Sequence, residues 1–217
     1  MRSVFDEKLA EIHRDLSQLG RMVNEAIYKS VKALNSHDAE LAQQVIDGDA
    51  KINQKENDID RKCYEIIALE QPNATDLRRV LAVMRASSDL ERMGDHAQNI
   101  SEVTINVKGN KRDSNLEEQI AKIGDKINSM CSDIIDAFVE FDVDKARATA
   151  KRDTEIDEQY HDLRMSALEL MKHDPDSVLA AADYSFVGMH LERIGDYITN
   201  IAEWIVYLDT GEIVDLD

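Results

Sequence analysis

The segment at residues 90–102 recurs at 191–203. Leu90-Glu91-Arg92-Met93-Gly94-Asp95-His96-Ala97-Gln98-Asn99-Ile100-Ser101-Glu102 returns as Leu191-Glu192-Arg193-Ile194-Gly195-Asp196-Tyr197-Ile198-Thr199-Asn200-Ile201-Ala202-Glu203, identical at eight of 13 positions with an offset of 101. In a chain of 217 residues that offset is close to half the length, so the fold must be one that two similar halves can build. Breakers are scarce. There are two prolines, Pro72 and Pro175, 103 residues apart, and eight glycines. Too few turns can be made for a many-stranded β architecture. Apolar residues instead recur every three or four positions. Phe5, Leu9, Ile12, Leu16, Leu19, Val23, Ile27, Val31 and Leu34 form one such stripe, and Leu116, Ile120, Ile123, Ile127, Met130, Ile134 and Phe138 another. The pattern predicts six helices near 3–35, 38–70, 73–108, 115–141, 143–172 and 176–209. A polar stretch at 109–115 splits them into two three-helix units, 1–110 and 111–217. The expected fold is all-α, an internal duplication of two antiparallel three-helix bundles.

Charge narrows the function. With 44 Asp and Glu against 26 Lys and Arg the net charge is −18, which repels phosphate backbones and disfavours nucleic acid. A hydrophobic fraction of 43% still supplies a core. No apolar run approaches the ~18 residues of a membrane span. The start turns acidic at Asp6-Glu7, so no signal peptide is expected. Cys63 and Cys131 have no metal or redox spacing and read as core residues in a reducing cytoplasm.

The repeated segment carries chemistry. On a helix, Glu91, Asp95, Asn99 and Glu102 fall at roughly 0°, 40°, 80° and 20°. They form one polar stripe, and Glu192, Asp196, Asn200 and Glu203 form its copy. Acids four residues apart repel by a few tenths of a kcal/mol. Gly94 and Gly195, mid-helix, cost roughly 0.8–1 kcal/mol each relative to Ala. A bound cation would offset the repulsion, and a close backbone approach would explain the glycines. Upstream, Asp49-Ala50-Lys51-Ile52-Asn53 parallels Asp153-Thr154-Glu155-Ile156-Asp157. Asp49 and Asp95, and likewise Asn53 and Glu91, are symmetric in sequence about Pro72. The pairs Asp153/Asp196 and Asp157/Glu192 are symmetric about the Asp174–Pro175 junction. Antiparallel hairpins turning at those prolines therefore bring four oxygen-bearing side chains to one height in each half, with Asn99 or Asn200 one turn on.

Such clusters suit a divalent or trivalent metal ion (Mn, Mg, Fe, Ca or Zn). The first, with Asn53 in place of a carboxylate, is expected to bind more weakly. Acids are about a fifth of the chain, so one isolated pair would mean little. The competing reading has Arg92 and Arg193 neutralise the acids as ion pairs.

At these residues the sequence resembles the PhoU family. The resemblance lies in Leu90-Glu91-Arg92-Met93-Gly94-Asp95 and Leu191-Glu192-Arg193-Ile194-Gly195-Asp196, with Asn99-Ile100 and Asn200-Ile201 after them. Pro72-Asn73-Ala74-Thr75-Asp76-Leu77-Arg78 also matches the family's Pro-x-Ala-x-Asp-Leu-Arg segment. It extends over essentially the whole chain. It implies two three-helix bundles and surface metal clusters held by the paired acidic motifs. It further implies a cytoplasmic homodimer, recruited to the inner face of the membrane through its partners. Those partners would be the ATPase subunit of the phosphate ABC transporter and a sensor histidine kinase, both silenced when phosphate is plentiful. Two departures stand out: Asn53, and the lack of Asp-Leu-Arg after Pro175. Asp76, Arg78 and Arg79 are thus unique to one half and read either as a helix N-cap with its first turn or as a partner contact.

Enzyme signatures are missing. No Gly-x-Gly-x-x-Gly, P-loop or Gly-x-Ser-x-Gly occurs, and a ferritin-type di-iron site needs two Glu-x-x-His motifs where only Glu158/His161 fits. His96 reads as packing or surface, and Trp204, Tyr207 and Leu208 as core. The basic pairs Arg78-Arg79 and Lys111-Arg112 are too sparse for a phosphate site. A regulatory adaptor is the reading. The alternatives are a PhoU-like module serving a different transporter and a carboxylate-bridged metal-dependent enzyme.

Overall fold

The computed structural model describes residues 2–106 and 112–216. Every element is helical: α1 (Arg2–Ser36), α2 (Ala39–Glu70), α3 (Ala74–Asn106), α4 (Ser114–Glu140), α5 (Val143–Ala150), α6 (Asp153–His173) and α7 (Val178–Thr210), with a 3₁₀ turn at Pro175–Ser177. The expected seam at 110/111 lies outside the described residues.

Asparagine and aspartate start most of the helices, because their side chains accept the orphan N–H groups of a first turn. Asp38 accepts from Leu41 N, Asp113 from Leu116 N and Asp142 from Lys145 N, each at 2.9 Å. The cap of α3 is Asn73 and not Asp76. Asn73 Oδ1 accepts from Thr75 N at 3.0 Å and Asp76 N at 3.1 Å, while its Nδ2 donates to Asp76 Oδ2 at 2.8 Å. Asp76 sits one turn inside, where it faces the positive helix end and Arg79 at 3.8 Å.

The fifth expected helix is interrupted. Lys151 and Arg152 form a tight turn between α5 and α6, with Arg152 N bonded to Thr149 O and Glu155 N to Arg152 O. No proline or glycine marks the break. Arg152 is drawn to α4, donating to Asp133 Oδ2 at 2.7 Å and Ser129 Oγ at 3.0 Å.

Helices α1, α3, α7 and α4 pack in a ring, each against the next. Helix α2 lies outside on α1 and α3, and α5–α6 lie outside on α4 and α7. Both apolar stripes of the sequence are buried throughout, and the core is one cluster drawn from both halves. Two close approaches seal α1 to α4. A Cβ on Gly20 would meet Ile135 Cδ1 at 2.6 Å, and one on Gly124 would meet Val31 Cγ1 at 2.8 Å. Gly20 and Gly124, like Val31 and Ile135, are 104 residues apart, so the seam is itself a duplicated contact.

Polar groups finish the ring. Buried Glu117 accepts from Tyr184 Oη at 2.7 Å and from Arg112 Nη2 at 2.7 Å, and shares a 2.9 Å bond with His37 Nε2. Burial alone would raise its pKa, but these donors hold it below the usual range. Arg112 is therefore a clasp between α1, α4 and α7 and not part of a free basic patch. Between α3 and α7, Trp204 Nε1 donates to Asp89 Oδ2 at 2.9 Å, and His96 Nδ1 meets His190 Nδ1 at 2.7 Å. Trp204 and Leu208 pack on the core from its rim. Cys63 and Cys131 are buried and free, and burial pushes both thiols up to about 12.

Candidate functional site

Each half ends in an outer hairpin, α2–α3 and α6–α7, and the acids lie on these hairpins at matching heights. In the first, Asp49 is 8% exposed and packs beside Gly94, where an added methyl would stand 3.8 Å from Asp49 Oδ1 and 3.1 Å from Ile52 Cγ2. In the second, Asp153 is 7% exposed and its Oδ1 would lie 2.2 Å from a Cβ on Gly195. The glycines thus serve the close approach expected of them. They let a buried carboxylate of one helix seat against the backbone of the next.

Of the pairs symmetric about the prolines, Asp49 feels Asp95 across the first helix pair and Glu192 feels Asp157 across the second. Burial raises the pKa of Asp49, with a further push from Asp95 that the Asn53 amide partly offsets. Burial and Asp95 likewise raise Glu91, with Asp49 adding to them. In the second hairpin burial and Asp196 raise Glu192, and Asp157 across the helix pair adds to the effect. Unfavourable proximity of like charges is therefore present in both copies.

The cross-helix partners differ. Asn53 Nδ2 donates to Asp49 Oδ2 at 2.9 Å, leaving Asp49 Oδ1 and Asn53 Oδ1 buried without a hydrogen-bond partner. Asn99 Nδ2 turns to the backbone oxygen of Asp95 at 2.8 Å. Among the described residues Arg92 pairs only with Glu91, at 3.9 Å, whereas Arg193 lies 3.7 Å from Glu192 and donates to Asp196 Oδ2 at 2.9 Å. Both arginines are more than half exposed, so their neutralising effect is screened. Asn200 is half-buried one turn beyond Asp196.

An all-oxygen donor set with two orphaned buried oxygens fits a hard cation at the first face. Among the described residues no three His, Cys, Asp or Glu side chains already converge on one point. Glu91, Asp95, Glu192 and Asp196 are all half-buried.

Several neighbours were not foreseen. Glu56 and Asp60 continue the acidic wall of α2. Burial raises both, and Asp60 and Glu91 raise Glu56 further. Their signal was the helical spacing of seven and eleven from Asp49. In the second hairpin the cleft is about 390 Å³ and is lined by Asp153, Asp157, Tyr160, His161, Arg164, Glu192, Asp196 and Leu216. Leu216 arrives because the segment after α7 doubles back, its N–H bonding Glu203 Oε1 at 2.9 Å. That return starts at Gly211, with φ of 75°, against which the guanidinium of Arg78 is packed. Arg78 therefore lies at the carbonyl end of α7, where a cation is favoured. Arg79 is exposed and Asp76 half-buried beside it. His96 is half-buried against His190 and Tyr197, which is packing. Glu158 and His161 gain no second Glu-x-x-His partner. No helix of the described residues is long and apolar enough to cross a membrane.

Comparison with known proteins agrees with this architecture. The PhoU domain model matches twice, at residues 16–104 and 120–205. A phosphate-specific transport system accessory protein PhoU homolog from Streptococcus pneumoniae is 40% identical over the full length of both chains. One from Clostridium acetobutylicum is 36% identical over all of this chain and 99% of its own. Among solved structures, the phosphate transport system regulatory protein PhoU from Streptococcus pneumoniae superposes with a TM-score of 0.90 at 38% identity, covering 97% of this chain and 99% of that one. PhoU from Pseudomonas aeruginosa gives 0.91 at 33% identity, covering 96% and 100%. A doubled helical repeat, its paired acids and full-length likeness to these proteins together place the chain in the PhoU family.

Proposed function

We propose that this regulator of phosphate transport is a cytoplasmic, metal-binding adaptor. It couples the ATPase subunit of the phosphate ABC transporter to a sensor histidine kinase and restrains both when phosphate is plentiful, working as a homodimer. It acts by binding and not by turnover, in keeping with relatives named accessory and regulatory proteins. The observation that carries the metal reading is the duplicated seating of Asp49 on Gly94 and Asp153 on Gly195. Two copies keep a destabilising arrangement of like charges at the same register, which a bound cation relieves.

The metal would be held by Asp49, Asn53, Glu91 and Asp95, with Asn99 nearby, and by Asp153, Asp157, Glu192 and Asp196, with Asn200 nearby. When bound it supplies positive charge that lets each hairpin close without repulsion. The chain's own contribution is to fix the height of the ligands through Gly94 and Gly195. Control of a partner requires that the adaptor bind one conformation of it better than another, since a ligand without preference shifts no equilibrium. The patch Asp76, Arg78 and Arg79 at the start of α3 is a partner-contact candidate through Arg79, its exposed member.

The test is phosphate uptake in phosphate-replete cells lacking the gene, or carrying Glu192→Ala with Asp196→Ala. Uptake should escape control in both. Unchanged uptake on deletion would remove transport control. Escape on deletion alone would keep the adaptor and demote the second cluster. Elemental analysis of the purified protein tests the metal independently.

A further inference from the structure

The two hairpins kept their acids and exchanged the residues beside them. Seven, eight and eleven positions after Asp49, α2 carries Glu56, Asn57 and Asp60. At the same offsets from Asp153, α6 carries Tyr160, His161 and Arg164. The first face is acidic along its length, with Glu56 raised by burial, Asp60 and Glu91. At these three offsets it carries no cation. The second cleft pairs one carboxylate end with an end that donates hydrogen bonds, in a single space of about 390 Å³, within the range of small-ligand sites.

The donor end is built. Tyr160 and Leu163 fill the notch left by Gly188, where a Cβ would meet Leu163 Cδ2 at 2.5 Å and Tyr160 Cδ2 at 3.0 Å. That seating fixes the α6 wall against α7. Arg164 is exposed, lines the cleft, and makes no hydrogen bond or ion pair among the described residues. A guanidinium that lines the same cleft as four carboxylates is an available fork for an oxyanion.

We propose that this second cleft binds a tetrahedral oxyanion of the phosphate class, bridged between Arg164 and a cation held by Asp153, Asp157, Glu192 and Asp196. His161 and the Tyr160 hydroxyl supply further donors. The inference rests on the reading of those acids as a cation site. Without the cation, the carboxylates repel the oxyanion, the more so where water is excluded, and one guanidinium does not overcome four of them. Oxyanion binding is therefore conditional on metal. By linkage the oxyanion tightens the metal by the same factor.

The experiment is calorimetric titration of the full chain with inorganic phosphate, with Mn²⁺ loaded and after chelation, in the native protein and in Arg164→Gln. Phosphate should bind the Mn²⁺-loaded native protein at one site per chain and leave the chelated protein unbound. Arg164→Gln should weaken it at least tenfold while Mn²⁺ alone binds both proteins equally. Equal phosphate affinity in Arg164→Gln, equal affinity without metal, or no phosphate binding to the loaded protein would each overturn the proposal. If Mn²⁺ itself gives no binding heat, the cation reading fails first, and visibly so. Glycerol phosphate in place of the free ion separates an esterified phosphate from the free one, and tight binding of either supports the oxyanion class.

Discussion

Asp49 lies in the middle of a 32-residue helix, while Asp153, its counterpart, opens one. The carboxylate is buried to the same degree in both places and seated on a glycine in both. Around it the halves diverge. The first hairpin holds Asp49 with the Asn53 amide and extends its acids to Asp60. The second leaves Arg193 on the acids and places Tyr160, His161 and Arg164 further along. What duplication preserved is the height at which ligands meet. What it released is the chemistry of the wall. A site of this kind is fixed by backbone proximity and specialised by side chains a turn or two away.

The sharpest way to break the comparison is at the glycines. Gly195→Ala drives a methyl toward Asp153 Oδ1 and should destabilise by about 1–3 kcal/mol in urea unfolding. In Gly94→Ala the nearest atoms stand at 3.1 Å or more, and the helix-propensity gain of roughly 1 kcal/mol should leave it near neutral. Equal losses would mean the two seats are equivalent.

The α3–α7 seam offers a second contrast, since Asp89 and His190 occupy corresponding positions, 101 residues apart. Burial pushes Asp89 up to about 6, and burial with His96 takes His190 down to about 4. The signs oppose. The raised carboxylate loses stability as pH rises through 6. The lowered imidazole loses it as pH falls from its unfolded value near 6.5 toward 4. Asp89→Asn keeps an acceptor for Trp204. It should therefore gain about 1–2 kcal/mol over the native protein at pH 8, with the gain fading below pH 6 in thermal melts. His190→Gln should instead flatten the acid-side loss.

Asn53→Asp tests ligand count against summed charge. We expect Mn²⁺ to bind the second face more tightly, because coordination depends on the atoms in contact. Asn53→Asp should tighten the first about tenfold, or about 1.4 kcal/mol, by calorimetry. No change would assign the first face to its acidic surroundings. The smallest effect belongs to Arg78→Gln. Removing a cation from the end of α7 should lower stability by roughly 0.3–1 kcal/mol. It should also loosen the return of residues 212–216, seen as faster amide exchange at Leu216.

The register of the acids was legible because two prolines and a four-residue spacing determine it, and Asp49 and Asp153 are where that reasoning places them. The break before Asp153 was not, since it comes from Arg152 reaching to Asp133 and Ser129 on another helix. Asn73 took the cap from Asp76 because both carry capping side chains and only backbone geometry decides between them. The α1–α4 seam is not legible in the repeat because Gly20 and Gly124 lie outside the repeated segment and obey an offset of 104. Tyr160 and Arg164, and the place of His161 beside them, leave no mark in the repeat because they are where the copies differ.

The α1–α4 seam has a consequence for how the chain is made. Gly20 waits for Ile135, and Val31 for Gly124, so the side of α1 that α4 covers stays open until most of α4 has been synthesised, although α2 and α3 pack on its other sides. At 5–20 residues per second that interval is on the order of ten seconds. Meanwhile α1 presents a glycine notch and, eleven residues on, a β-branched knob. Because Ile135 corresponds to Val31, a second α1 running antiparallel offers the same knob to the same notch. The seam is self-complementary, so two nascent first halves on neighbouring ribosomes can clasp each other before either meets its own second half, the starting point of a domain swap.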